Sequence, residues 1–422
     1  MRQARIVRMA APATALGAIM VGLAAGGANT SELAALLSCA LLALTLLAVL
    51  AAPRRTIAQW LRAHALSTAA AAAFVLWTTA TAIKGAGPAD PLWRALGIAD
   101  GAVSISPYRT LEGLVSFLSA LSAFALASLA VRDREDRRSL GRLVVLCGLG
   151  VALYALVVHA AGAQRLMVNF GSANVAATLF GMSAIFAAAA AFRAARGRKG
   201  LAALAAPPLA AATLLLSLAC LMLTASRAGI LLTLIALIAF AILLLVGGRM
   251  RDRTQTPAML PWLAAFAALL FLAGGHFALA RLEHLDSSAA SRAVLIETHW
   301  RAFLERPLFG HGLNTFHELN AHAATPENLP ALAGMGAAHN IFVQALEETG
   351  LFGALLFALM LTPPLSRALA RAVRGSVWAA AMCAAALLAF AHGLVDFSLQ
   401  APALAAYFSF CLGAFTTRTP ER

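Results

Sequence analysis

Two arginines and a histidine stand out in a chain that carries few polar groups. Arg227 lies in LTASRAGILL, where Thr224 or Ser226 is placed to cap an apolar helix. A cation at a helix N-terminus opposes the macrodipole, whereas an anion there gains from the free N–H groups. Arg227 therefore reads as a snorkelling interfacial side chain or as part of an anion site, and the second reading explains its position better. Arg292 lies in SSAASRAVLIETHWRAFLER, an amphipathic helix pattern capped at Ser287 or Ser288. Arg292, Ile296, His299 and Phe303 share one face of it. Glu297, Arg301 and Glu305 share another at i,i+4 spacing, where a solvated ion-pair ladder is expected. His339 opens AHNIFVQALEE, followed by Asn340. An imidazole at a helix start is biased toward its neutral, proton-accepting form, although the position also suits a polar cap. His299 is the reserve proton acceptor, because it shares a helix face with Arg292.

After Pro307, PLFGHGLNTF makes a glycine-bracketed turn. Gly310 and Gly312 open backbone conformations closed to other residues, His311 sits between them, and Asn314 offers an amide donor and acceptor. A purely structural turn is an equal reading. His311, His317 and His322 cluster with Glu318, but their spacing does not match HExxH, so no metal site is expected. No P-loop, dinucleotide fingerprint or Ser-His-Asp arrangement is evident, and no cofactor is expected.

The elements that must hold these groups are membrane helices. The chain has 422 residues, of which 61% are hydrophobic and 12% charged. Its mean hydropathy is +0.82. Twelve apolar stretches are each long enough to cross about 30 Å of hydrocarbon. They lie near 9–29, 32–52, 63–83, 112–130, 140–160, 172–192, 201–222, 228–247, 259–279, 351–369, 375–395 and 398–416. Arg2, Arg5 and Arg8 before the first stretch resemble the basic region of a signal peptide, but the long run and its close successor favour an uncleaved span. The expected fold class is an all-α polytopic integral membrane protein, a single membrane domain over 1–422. Outer loops span 84–111 and 280–350, the second carrying short amphipathic helices.

With the N-terminus inside, every even crossing ends on a basic loop, and 23 of the 32 Lys and Arg residues fall inside. The net charge of +14 thus reflects topology, and no nucleic-acid partner is implied. Both termini are expected in the cytoplasm. Of ten histidines, seven lie between 276 and 339: His276, His284, His299, His311, His317, His322 and His339. Glu347 and Glu348 are expected near the outer headgroups, where they avoid hydrocarbon. The five cysteines all fall in apolar stretches, without CxxC spacing, and read as small buried residues.

Several segments together resemble the O-antigen ligase and polymerase family of bacterial envelope enzymes. They are TASRAG (224–229), the Ser291–Arg292 pair with Trp300 downstream, PLFGHGLNTF (307–316) and AHNIFVQALEETGLFG (338–353). NFGSANVAA (169–177) is similar to the family's glycine-and-asparagine segment, with Ala173 where proline is usual before the asparagine, here Asn174. SISPYRT resembles another family turn. The resemblance implies a GT-C-like fold in a bacterial inner membrane and metal-independent glycosyl transfer at the periplasmic face. It implies an undecaprenyl-diphosphate-linked glycan as donor and, for the ligases, a sugar hydroxyl of lipid A-core as acceptor. It assigns His339 as general base and Arg227 and Arg292 to the donor diphosphate. Asn174, His299, His311, Asn314 and Asn340 are supporting candidates. The remaining partners are membrane lipids, and a monomer is a possible unit.

Other readings use the same residues differently. An O-antigen polymerase or a protein O-oligosaccharyltransferase would share the donor; the modest length and lack of a large C-terminal soluble extension favour a ligase. A twelve-helix transporter would need ionisable groups at the membrane midplane, where few fall. A non-catalytic lipid-glycan-binding protein would need the arginines but not His339. The basic-loop pattern predicts that labels attached at positions 135 and 320 react from opposite sides, 320 from the periplasm. Cytoplasmic reactivity at 320 overturns the assignment of the polar face.

Overall fold

The computed structural model describes residues 2–85, 87, 89–95, 101–160, 165–195, 208–248 and 285–417. Regular structure among them is helical throughout. In chain order the helices are α1 (Arg2–Ala24), α2 (Ser31–Ala51), α3 (Arg54–Ala63), α4 (Ala65–Thr81), α5 (Pro91–Ala95) and α6 (Pro107–Ala130). Next come α7 (Arg134–Ala160), α8 (Ala173–Ala195), α9 (Pro208–Leu223), α10 (Arg227–Val246) and α11 (Leu285–Glu305). The chain closes with α12 (Phe316–His322), α13 (Leu329–Leu332), α14 (Ile341–Val373), α15 (Val377–Gly393) and α16 (Pro402–Thr416).

Eleven of the twelve expected apolar stretches overlap these helices, whereas 259–279, with His276 and His284, lies outside the described residues. Six described helices, α2, α6, α7, α8, α10 and α14, are long and apolar enough to cross a membrane. The bent pair of α3 and α4 makes a seventh if it counts as one span. The chain is thus a multi-pass membrane protein. Several boundaries differ from those expected. The first helix starts at Arg2 and stops at Ala24, because Gly26, Gly27 and Ala28 all take positive φ. At His64 the chain turns by 86° between α3 and α4, so the amphipathic, basic α3 does not continue the apolar span. The span expected to begin at 351 is the lower part of α14, which already starts at Ile341.

The core forms where small side chains let backbones approach. Helix α8 is buried along most of its length, as are α15 and α16. A Cβ on Gly413 of α16 would stand 2.4 Å from the Phe124 carbonyl oxygen of α6. Abundant alanine on α8 and α15 serves the same close packing, which in lipid is driven by van der Waals contact and not by exclusion of water. Trp378 stacks on Phe415 with centroids 4.9 Å apart. Cys147, Cys220 and Cys411 are buried as expected, but Cys39 is exposed because it lies on the outer face of α2.

Basic and acidic side chains gather at one end of the bundle. Arg5 and Arg8 of α1 pair with Asp136 at the start of α7, and Arg5 also with Asp133. There too, Arg137 and Arg371 donate to the Thr417 carbonyl at the end of α16. The starts of α8, α10 and α14 and the end of α15 lie at the opposite end.

Helix α14 is broken at Gly350, which has φ 61° and ψ −173°. The break frees backbone groups that an unbroken helix would satisfy, and the turn at 307–312 takes them up. Leu351 N–H donates to the Pro307 carbonyl (2.8 Å) and Phe352 N–H to that of Leu308 (3.1 Å). In return His311 N–H donates to the Glu347 carbonyl (2.9 Å) and Gly312 N–H to that of Glu348 (2.8 Å). Only glycine fits at 350: a Cβ there would stand 2.4 Å from the Leu308 oxygen. Gly350→Ala should therefore add a backbone clash to a left-handed strain of about 1–3 kcal/mol. Its apparent unfolding midpoint in detergent should fall clearly below that of Gly334→Ala, since Gly334 has φ +73° but nothing within 4 Å. Equal midpoints would refute the role given to this splice.

Candidate active site

His339 occupies the loop immediately before α14, with φ 52°, a strained value for a side chain of its size. The helix cap is Asn340, whose Oδ1 accepts from the N–H groups of Phe342 (3.0 Å) and Val343 (3.1 Å). Asn340 is thus committed to backbone. His339 precedes the helix instead of beginning it, and its ring turns away to the hairpin between α15 and α16. Its Nδ1 lies 3.9 Å from Asp396 Oδ1, and its edge packs against Phe397. Asp396 is fully buried. Neither His339 Nδ1 nor Asp396 Oδ1 has a hydrogen-bond partner, an unusual state for buried polar atoms. A shortening of under 1 Å would join them.

Burial holds the His339 imidazole below its ordinary value; the Asp396 carboxylate acts against that shift, and the Arg292 guanidinium adds to it. Arg292 on α11 is therefore within electrostatic reach of His339. Its side chain is exposed, as is that of Arg227. No carboxylate among the described residues pairs with either arginine, so both retain their guanidinium donors for another anion.

Arg227 is the first residue of α10. Ser226 caps that helix, its Oγ accepting from Gly229 N–H (3.2 Å), and donates to Asn174 Oδ1 (2.7 Å). Asn174, in the first turn of α8, is thereby tied to the residue next to Arg227. Gly229 abuts His392 of α15: a Cβ on Gly229 would lie 3.3 Å from His392 Cε1. Thr178 bridges to His392 Nδ1 (2.7 Å) and to Ser398 (2.8 Å), and Ser398 donates to Asp396 Oδ2. The start of α10 and the His339–Asp396 pair are thus two ends of one polar cluster.

The other sequence candidates hold the scaffold. His299 is fully buried and stacked on Phe316; its Nδ1 meets Glu347 (2.5 Å) and its Nε2 meets Asn320 (3.2 Å). Burial pushes its imidazole down to about 4. It shares the α11 face of Arg292, but that face is covered at 299 and open at 292. His311 is also buried, with Nδ1 on Asp90 (2.8 Å) and Nε2 on the Ala302 carbonyl (3.0 Å). Burial raises the Asp90 carboxyl, but hydrogen bonds from His311, the Leu92 N–H and Arg306 outweigh it and hold Asp90 below the usual range. Asn314, at φ 64°, gives its N–H to Glu348 Oε2 (2.8 Å) and its Nδ2 to the Arg109 carbonyl (3.3 Å). Glu347 and Glu348 were expected among headgroups; both are buried, because they bind His299 and the Asn314 N–H. The Arg301–Glu297 pair is exposed, as a solvated ladder should be. Glu318 pairs with Arg109, and no three metal-ligating side chains converge among the described residues.

Residues 212–358 match the family model for O-antigen ligase. This match supports an O-antigen ligase family assignment. No curated protein matches it. The matched segment contains Arg227, Arg292 and His339, whereas Asn174, His392 and Asp396 reach the cluster from outside it. The matched family implies glycan transfer of ligase or polymerase type.

Asp396 and His392 escaped sequence reasoning because HGLVDFS reads as a short connection between two apolar spans. The available signal was its position: a carboxylate in a two-residue turn that the alternation of spans puts on the same side as His339. If His339 takes a proton, Asp396→Asn should lower kcat by about 100-fold, the usual scale of a positioned acid–base group. It should also move the acid limb of the pH profile to lower pH, because the carboxylate that supports the imidazolium is lost. An unchanged limb with full kcat would exclude Asp396 from the reaction.

Proposed function

We propose that the protein transfers a glycan from an undecaprenyl-diphosphate carrier to a sugar hydroxyl of lipid A-core at the periplasmic face of the inner membrane. The observation that carries this reading is the partnerless His339–Asp396 pair within electrostatic reach of Arg292. In the reaction the acceptor oxygen attacks the anomeric carbon, forming a C–O bond as the bond to the diphosphate oxygen breaks. The acceptor's hydroxyl proton passes to His339 Nε2, since Nδ1 faces Asp396. The bonding electrons leave with the diphosphate. Arg292 and Arg227 offer planar, two-pronged donors to that diphosphate and stabilise the charge it gains. Diphosphate is a good leaving group, so no protonating acid is required. A single displacement inverts the anomeric carbon.

The depressed imidazole supports this role. A base held below its ordinary value stays unprotonated, and hence active, to lower pH than a free histidine. The match of residues 212–358 to the O-antigen ligase model supports a lipid-linked glycan as donor.

The test is transfer by purified protein given both lipid substrates. Arg227→Ala and Arg292→Ala should each sharply reduce transfer, with lysine restoring it only in part. His339→Gln should still bind donor yet lose most turnover, because glutamine hydrogen-bonds but cannot accept the proton. Wild-type turnover by the glutamine variant would overturn the mechanism. Transfer only onto a second lipid-linked glycan would make the enzyme a polymerase, and onto protein an oligosaccharyltransferase.

A further inference from the structure

Asp396 stands at the end of a buried chain of hydrogen bonds whose direction is fixed by counting protons. Its Oδ2 accepts from Ser398 Oγ, which uses the only hydroxyl proton of Ser398. Ser398 Oγ in turn accepts from Thr178 Oγ1 at 2.8 Å, which uses the only hydroxyl proton of Thr178. The 3.3 Å contact from Thr178 Oγ1 to the Asn174 carbonyl competes for that proton and is the longer. His392 Nδ1 lies 2.7 Å from Thr178 Oγ1, so with both hydroxyl protons committed this nitrogen must be the donor. Its other nitrogen, Nε2, then carries a bare lone pair, in keeping with the absence of a partner there. The bonds run one way, from His392 through Thr178 and Ser398 to Asp396.

All four members are buried, and they come from three separate parts of the chain: α8, α15 and the hairpin before α16. Helix packing alone does not need them. Apolar side chains of the same volume would fill this interior without the risk of unpaired polar atoms. What the chain accomplishes is specific: it occupies Oδ2 and leaves Oδ1 as the one oxygen of Asp396 facing His339. The charged groups around it are few. Arg292 acts electrostatically on both histidines, and Asp396 itself is the acidic member of the cluster.

We propose that His392 and Thr178 are positioning residues for glycan transfer, acting through Ser398 to hold Asp396 in the orientation that serves His339. The inference rests on the reading of His339 as the base. Neither residue touches the reacting atoms; each acts only by fixing where the carboxylate points and which of its oxygens is free.

The test is a double-mutant cycle between Thr178 and Asp396, read by kcat and donor binding of the purified full-length protein. Thr178→Val keeps the shape of the side chain and removes its hydroxyl. It should lower kcat about tenfold, leave donor affinity unchanged and move the acid limb in the same direction as Asp396→Asn. Thr178→Ser, which keeps the hydroxyl, should restore both. In the Asp396→Asn background Thr178→Val should cost nothing more, because the group it acts through is already gone. A full, additive loss in that background would mean a merely structural role and overturn the proposal. So would Thr178→Val with wild-type kcat. His339→Gln separates the two levels: if that variant turns over normally, the base assignment fails and this inference with it. If it is inactive while Thr178→Val is normal, only the positioning chain is wrong.

Discussion

The break at Gly350 is the constraint on which the half of the molecule carrying His339 depends. A helix that ran straight from Ile341 to Val373 would satisfy its own backbone and offer the 307–314 turn nothing to bind. Because it breaks, four backbone hydrogen bonds splice turn and helix together, and the buried Glu347 and Glu348 side chains add His299 and the Asn314 N–H. The turn then carries His311 to Asp90, which also holds Arg306, and so anchors the loop before α6. Ile105 N–H donates to the His311 carbonyl and closes the same arrangement. Gly310 and Gly350 are needed because another stretch of backbone passes too close for a Cβ, and Gly312 because the Ser104 and Thr110 side chains do.

With that scaffold fixed, the loop before α14 has a defined starting point. Asn340 caps the helix and His339, held at positive φ, is turned toward the hairpin at 396. Three atoms without partners, His339 Nδ1, Asp396 Oδ1 and His392 Nε2, fall within this one cluster. Other buried atoms without partners, such as His64 Nε2 and Tyr407 Oη, are scattered through the described residues, whereas these three come from groups joined in one cluster. His299 and His311 show the contrast: both of their ring nitrogens are occupied, so their chemistry is spent on structure.

The two ends of the bundle divide the work. At one end arginines and carboxylates pair closely, as with Arg5, Arg8 and Asp136, and arginines cap the carbonyls that end α16. At the other, Arg227 and Arg292 stand exposed with no carboxylate partner among the described residues. Between them α8, α15 and α16 supply an alanine-rich interior that brings the helix ends carrying Asn174, His392 and Asp396 into register.

Apolar stretches long enough to span a bilayer, and the charges between them, can be read directly from the sequence, because hydrocarbon thickness and backbone hydrogen bonding leave a membrane chain few alternatives. Local capping was legible for the same reason: Ser226 before an apolar run has one obvious partner, the open turn of α10. His339, Arg227 and Arg292 could be singled out because polar residues are scarce here and each stood where a structural role was incomplete. Which histidine is free and which is buried was not legible. His299 and Arg292 share one helix face, yet only tertiary packing covers the first and exposes the second. Nor could sequence spacing join His339 to Asp396 or Thr178 to Ser398, separated by 220 positions. Those pairings depend on where helix ends meet in space, and that is set by the packing of side chains far apart in the chain.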